Sequence, residues 1–406
     1  MKRKNMITLN DVKEAKKNLE NVANNTPITK APILSETFRS EIYLKKDNLQ
    51  LTGSFKLRGA FNRIAKLNEE KKKKGVVAAS AGNHAQGLAF AAKYFDIEAT
   101  IFMPEATPLT KVSGVKSYGA NVVLVGENFD EAKEAAYKFA EENDCEFIHP
   151  FADDDVIAGQ GTIALEILEE IKDLKQIIVP IGGGGLISGI AIAAKSINPD
   201  IKIIGVVASG AAAMKESYRS QMPIDSSSVR TIADGIAVRD VTPKLLDIII
   251  DYVDDIVEVS DNEIANAILF LLEKHKLVVE GAGAVATAAI MHEKVEIEDS
   301  KVCAIVSGGN IDVTMLAQII EKGLVKSNRK MNLIIKLIDK PGSLTRLTEI
   351  FKECSANIVQ IDYDRDSIKL EFGEAQITIA LETKGEEHQK LIREKLKQNG
   401  YRFKQI

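Results

Sequence analysis

At 406 residues the chain is too long for one simple core and suggests about two or three domains. Its 45% hydrophobic and 27% charged residues are ordinary for a soluble globular protein, and a net charge of -5 speaks against a nucleic-acid platform, which would show a basic face. No stretch reaches the apolar length needed to cross a bilayer. Met1-Lys2-Arg3-Lys4-Asn5-Met6 starts basic with no apolar core behind it, so no secretory signal is expected. Cys145, Cys303 and Cys354 lie far apart without zinc spacing, which predicts reduced thiols and a cytoplasmic location.

In chain order, β-branched runs at residues 42–45, 76–79, 99–103, 121–125, 146–149, 177–181, 201–206, 256–259 and 302–306 predict strands. Amphipathic or Ala-rich stretches at 85–94, 130–142, 156–171, 186–196 and 262–274 predict helices between them. This alternation implies an α/β fold with largely parallel sheet covered by helices on both faces, and ligands at the C-terminal strand ends. The run Lys71-Lys72-Lys73-Lys74 sits at the end of a helical pattern spanning 59–70, where cations complement the helix dipole, and reads as a solvated helix end. Asp153-Asp154-Asp155 precede another helical pattern, where acidic residues are expected, so no metal is assigned to them.

The pattern changes at Gly323. Residues 323–330 are polar and basic and read as a linker. Beyond it come a strand at 331–338, a turn at 339–343, a helix at 344–354, strands at 357–363 and 375–382, a helix at 388–398 and a closing strand at 401–406. That β-α-β-β-α-β order is the ferredoxin-like, split βαβ arrangement and predicts an appended domain.

Three motifs carry the chemistry. Lys56, in Ser54-Phe55-Lys56-Leu57-Arg58-Gly59-Ala60, lies near a helix start, where the positive end of the dipole would lower its amine pKa and suit a nucleophile and base. Taken alone, a surface lysine explains it as well. Gly182-Gly183-Gly184-Gly185 joins a strand to a helix and leaves bare backbone N–H groups at a helix N-terminus, a ready phosphate site. It is neither a Walker loop nor a dinucleotide fingerprint, and a monophosphate cofactor fits better. Ser80-Ala81-Gly82-Asn83-His84-Ala85-Gln86-Gly87 also opens a helix after a strand; Ser80, Asn83 and backbone N–H groups can hold a carboxylate there, or Ser80 or Asn83 can simply cap the helix. His84 reads as a histidine tied into that helix start. Ser307-Gly308-Gly309-Asn310 is either an ordinary turn or a hydroxyl aimed at a cofactor ring nitrogen, and Glu280 either lines the site or begins the next helix. A lysine, a polar loop and a phosphate cradle together describe an enzyme that forms a Schiff base with an aldehyde cofactor.

Together with Thr231-Ile232-Ala233-Asp234-Gly235-Ile236-Ala237, these motifs resemble threonine dehydratase (threonine ammonia-lyase), a pyridoxal 5'-phosphate enzyme of the tryptophan-synthase-β-like fold, fold type II, over residues 9–323. Asp339-Lys340-Pro341-Gly342-Ser343-Leu344 and the strand order after it look like a single ACT domain, as in the medium-length form of the enzyme. The resemblance implies a catalytic domain of two α/β subdomains at 1–322, the linker, and a regulatory domain at 331–406. It implies that Lys56 holds the cofactor and moves the substrate Cα proton, and that Phe55 lies against the ring. Asn83 would bond the phenolic oxygen, Gly182, Gly183, Gly184, Gly185 and Leu186 would bind phosphate, and Ser307 would face the ring nitrogen. L-threonine would give 2-oxobutanoate and ammonia, and L-serine pyruvate more weakly, in isoleucine biosynthesis or threonine catabolism. An amino-acid effector, isoleucine or valine, would bind near Gly342, where pairing of such modules would imply a homo-oligomer.

Serine racemase is similar in architecture but resembles Ser-Ser-Gly-Asn-His at the polar loop. Ala81 stands in that place here and cannot carry a proton, which favours elimination over racemisation. The glutamate that binds a divalent cation in that relative falls at Val207 or Ala208, so no metal is expected. A racemase or β-replacement enzyme, and a catalytically silent amino-acid sensor, are the alternative readings.

Overall fold

The protein is described by a computed structural model at residues 7–297, 299–368 and 370–406; the reading of Met1 to Met6 lies outside the described residues. The chain divides into two compact units, Met1–Asp312 and Val313–Ile406.

The first unit splits the predicted strands between two sheets. The larger sheet runs Ile28–Lys30, Glu41–Lys45, Lys301–Ile305, Gln176–Pro180, Lys202–Ala208 and Asp255–Val259; only its first pairing is antiparallel. The smaller sheet runs Asn121–Leu124, Ala99–Met103, Val76–Ala79 and Glu146–Phe147, all parallel. Gln176–Pro180 and Val76–Ala79 are buried along their whole length, which is why they read as continuous apolar runs without alternation. Ile28–Lys30 escapes a periodicity search because three residues carry no period.

Two devices fix the helix that begins at Lys56. Helix Lys56–Ala65 packs on helix Asp154–Glu170 so closely that a Cβ on Gly159 would come 2.6 Å from Gly59 Cα. Beside this contact lies a buried ionic cluster. Arg58 donates to Asp47 at 2.7 Å and to Glu166 at 2.5 Å, and Lys45 pairs with the same Glu166. The cluster ties the Lys56 helix to the strand Glu41–Lys45 and to helix Asp154–Glu170.

Local capping explains two charge runs. Asp153 accepts from the Asp155 and Val156 N–H groups at 2.8 and 3.1 Å, so it caps its helix. The four lysines end a short helix of their own, Glu69–Lys74, which Asn68 starts by accepting the Lys71 N–H at 2.8 Å. The helical pattern read as 59–70 is therefore interrupted.

In the second unit, helix Val313–Lys326 precedes an antiparallel sheet ordered Asn357–Asp364, Glu374–Glu382, Lys330–Ile338 and Arg402–Gln405. Helices Ser343–Glu353 and Glu386–Gln398 contribute Leu347, Phe351, Ile392 and Leu396 to its core. The β-α-β-β-α-β order stands as read. The linker does not: residues 323–326 finish a helix and Lys330 opens a strand, leaving only 327–329 between them. Ser327 Oγ donates to the Gly323 carbonyl at 2.8 Å and Lys330 pairs with Glu321, so the polar composition belongs to a helix end and its partners. The break between units falls instead at Asp312/Val313. Among the described residues no helix is long and apolar enough to cross a membrane.

Candidate active site

Segment 54–56 is stitched to the turn after strand Lys301–Ile305. Ser54 bridges Gly308, and the Phe55 N–H donates to the Ser307 carbonyl at 3.0 Å. Lys56 then opens its helix with its side chain half-buried, donating from Nζ to the Pro150 carbonyl at 2.8 Å and lying 5.2 Å from the Phe55 ring centre. Burial pushes the amine down to about 8, against the upward pull of the Glu280 carboxyl.

Lys56 borders a cavity of about 660 Å³, within the usual size of a small-ligand site. Phe55, Ser80, Asn83, Leu186, Ser307 and all four glycines 182–185 border the same cavity, so the candidate cofactor- and substrate-binding residues of the first unit come together. Gly342 is the exception: it belongs to the second unit, where it caps helix Ser343–Glu353 at φ +84° with open space around a notional Cβ.

The tetraglycine follows strand Gln176–Pro180 and leads into helix Gly185–Ile197. Gly184 takes φ +95°, and a Cβ on Gly183 would lie 2.5 Å from the Phe151 ring. Any side chain at that position would push out the aromatic wall behind the turn. Ser80 Oγ accepts the Gly82 N–H at 3.2 Å, while Asn83 begins helix Asn83–Tyr94. Ser307 is buried, and its hydroxyl meets the Ala282 carbonyl at 3.4 Å. His84 is also buried, with Nε2 3.0 Å from the Ile148 carbonyl; burial pushes it down to about 3, so it is neutral and structural.

Three features of the site are decided only by the structure. Glu280 lies at the cavity, buried, accepting from Asn83 Nδ2 at 2.7 Å. Asn310 Nδ2 donates to Asn83 Oδ1 at 2.7 Å and to the Thr52 carbonyl at 2.8 Å. Two ion pairs also join residues that border the cavity, Lys111 with Asp234 at 2.8 Å and Arg239 with Asp130 at 2.6 Å. Glu280 stands out in the sequence, but its position there cannot choose between lining a site and starting a helix.

A half-buried amine with a lowered pKa, a side-chain-free turn at a helix N-terminus and a buried hydroxyl on one cavity fit a phosphorylated aldehyde cofactor. A family model described as "Pyridoxal-phosphate dependent enzyme" matches residues 19–308. The chain is also 48% identical over 396 residues to the L-threonine ammonia-lyase of Thermotoga maritima, covering 98% of each chain. It belongs to the threonine ammonia-lyase branch of the pyridoxal-phosphate dependent enzymes.

Further members agree. The L-threonine ammonia-lyase of Geobacter sulfurreducens is 44% identical, again over 98% of both chains. Among solved structures, threonine deaminase isoform 2 from Solanum lycopersicum aligns with a TM-score of 0.73 and 38% identity, covering 77% of this chain and 86% of that one. Maize serine racemase aligns with a TM-score of 0.74 and 35% identity over 79% and 99%. The fold is thus fold type II, the cofactor of the family is pyridoxal phosphate, and the chain is a lyase of this threonine ammonia-lyase branch. Since racemases share the scaffold, the reaction must be argued from the site.

Proposed function

We propose that this threonine ammonia-lyase homologue converts L-threonine to 2-oxobutanoate and ammonia, and L-serine to pyruvate more weakly. The observation that carries the reading is the half-buried Lys56 amine, its pKa lowered to about 8, on the same cavity as the tetraglycine turn and Ser307. Bound there, pyridoxal phosphate supplies an electron sink that acidifies the substrate Cα–H.

The chain's own residues do the rest. Backbone N–H groups of Gly182, Gly183, Gly184, Gly185 and Leu186 would receive the phosphate at the start of helix Gly185–Ile197. Phe55 would pack on the ring, Asn83 would donate to its phenolic oxygen, and Ser307 would face its nitrogen. Ser80 and Asn83 receive the substrate carboxylate. Lys56 Nζ would hold the cofactor, and the same amine would take the substrate Cα proton. A nucleophile and base needs its neutral form, and burial makes that form accessible close to neutral pH. Breaking the Cα–H and Cβ–O bonds releases water, and hydrolysis of the remaining C–N bond gives the 2-oxo acid and ammonia.

Two residues favour elimination. A neutral serine at the ring nitrogen would not hold it protonated as a carboxylate would, which would favour loss of the β-hydroxyl. Ala81 offers no proton from the other side. Pyruvate should therefore outrun D-serine when L-serine is supplied; chiral analysis showing the reverse would make the chain a racemase.

Borohydride reduction followed by peptide mapping should place the cofactor on Lys56, and Lys56→Ala should abolish both the adduct and 2-oxobutanoate release. An adduct on another lysine would sink the assignment. The second unit is read as an ACT module that binds isoleucine or valine near Gly342 and pairs with another copy. Its ferredoxin-like strand order supports that reading.

A further inference from the structure

Glu280 differs from the other carboxyls on the cavity. Asp130, Asp234 and Asp240 keep 51%, 61% and 54% of their side-chain surface exposed, whereas Glu280 is 4% exposed. It occupies the N-cap position of helix Gly281–Met291, yet its side chain makes no capping bond to that helix. Its carboxyl turns instead to Asn83, whose Nδ2 donates to Oε1 at 2.7 Å, and also accepts the backbone N–H of Asn310.

Asn83 is gripped from both ends. Its Oδ1 accepts from Asn310 Nδ2, and that Nδ2 is itself anchored on the Thr52 carbonyl. Turning the Asn83 amide over would set oxygen against the Glu280 carboxylate and N–H against the Asn310 N–H, losing both bonds. One Nδ2–H of Asn83 remains outside this clamp. The surrounding backbone makes room for it: a Cβ on Gly308 would come 2.8 Å from Glu280 Cδ and 3.2 Å from Asn83 Nδ2. The glycine of the Ser307-Gly308-Gly309-Asn310 turn is thereby explained by the carboxyl-amide pair behind it.

We propose that Glu280 is a positioning residue for the cofactor, which with Asn310 locks the Asn83 amide so that its remaining Nδ2–H faces the phenolic oxygen of the ring. The inference rests on the reading of Asn83 as the donor to that oxygen. A carboxylate behind the amide also polarises its N–H and makes it a stronger donor to a phenolate. Burial, with Asp234 adding to it, pushes Glu280 up to about 7, opposed by the Asn83 bond, Lys111 and the Asn310 N–H.

The test is the pH titration of the bound cofactor's visible absorption band in the holoenzyme, followed beside cofactor affinity. Loss of an aligned donor destabilises the anionic oxygen, so Glu280→Ala should move the midpoint upward by about one pH unit and weaken cofactor retention on the order of tenfold. Asn83→Ala should do the same, and the double variant should go no further. Glu280→Gln, which keeps a carbonyl acceptor but not the charge, should shift the midpoint less than Glu280→Ala. Should the alanine variant not fold, Asn310→Ala removes the opposite grip on the same amide and is expected to shift the band in the same direction. A Glu280→Ala titration identical to wild type while Asn83→Ala shifts, or full additivity of the two, overturns the proposal. An Asn83→Ala titration identical to wild type overturns the reading of Asn83 itself, and the proposal with it.

Discussion

Lys56 sits where two effects on an amine can be separated. Its place at a helix start suggested a lowered pKa from the dipole; burial lowers it as well, with Glu280 pulling the other way. In cofactor-free protein the neutral amine dominates above about pH 8, so the rate of cofactor loading should rise through that midpoint and not through the ordinary lysine value of 10.5. Stopped-flow loading across pH 6.5–10 (roughly the range that brackets it) checks this. The same shift has a sign for stability. The unfolded chain holds this proton up to 10.5 and the folded chain only to about 8, so the stability is fully present above 10.5 and is lost as pH falls through 8. Replacing the amine with Lys56→Met should stabilise the cofactor-free protein by up to roughly 3 kcal/mol at pH 7, with the gain disappearing towards pH 10.5. Urea unfolding at both pH values reads it out.

At the scale of elements, the helix beginning at Lys56 is held by buried charge as much as by packing. Glu166 faces Arg58 and Lys45, both almost fully buried. Glu166→Ala takes the carboxylate partner from buried Lys45 and leaves Arg58 with Asp47 alone, one positive charge in excess, and should cost about 3–5 kcal/mol by denaturant unfolding, with activity lost in step. The pairs Lys111–Asp234 and Arg239–Asp130 are a contrasting case. Their side chains are largely exposed, so each contributes little to stability. They nevertheless connect helices Leu109–Ser117 and Phe129–Asn143 to residues 234–239 across the cavity. Arg239→Ala with Lys111→Ala should leave the melting temperature within about 2 °C while raising the threonine KM several-fold. An unchanged KM would reduce the pairs to surface decoration.

At the scale of the whole chain, the division at Asp312/Val313 separates the cavity from the ferredoxin-like unit. The L-threonine dehydratase catabolic TdcB of Staphylococcus aureus is 45% identical over 323 residues, which make up 79% of this chain and 93% of that one. If the regulatory reading proposed above holds, a protein lacking residues 313–406 should still bind cofactor and turn over threonine, with any response to isoleucine or valine lost. Equal response in the truncated and full chains would remove the second unit from the regulatory reading.

The sequence by itself determined what depends on local order. Strand–helix alternation, the glycine turn after an apolar strand, the lysine at a helix start and the β-α-β-β-α-β tail are all written in consecutive residues, because secondary structure, capping and backbone access are near-neighbour properties. It misplaced the boundary near Gly323, where a polar helix end and a linker have the same composition. Tertiary structure alone decided the contacts that fix chemistry. Asn83 meets Glu280 across 197 positions and Asn310 across 227, and Lys56 finds its carbonyl partner 94 residues on. No spacing rule reaches that far, since the parallel crossovers that bring strand ends together set such distances only when both sheets have formed.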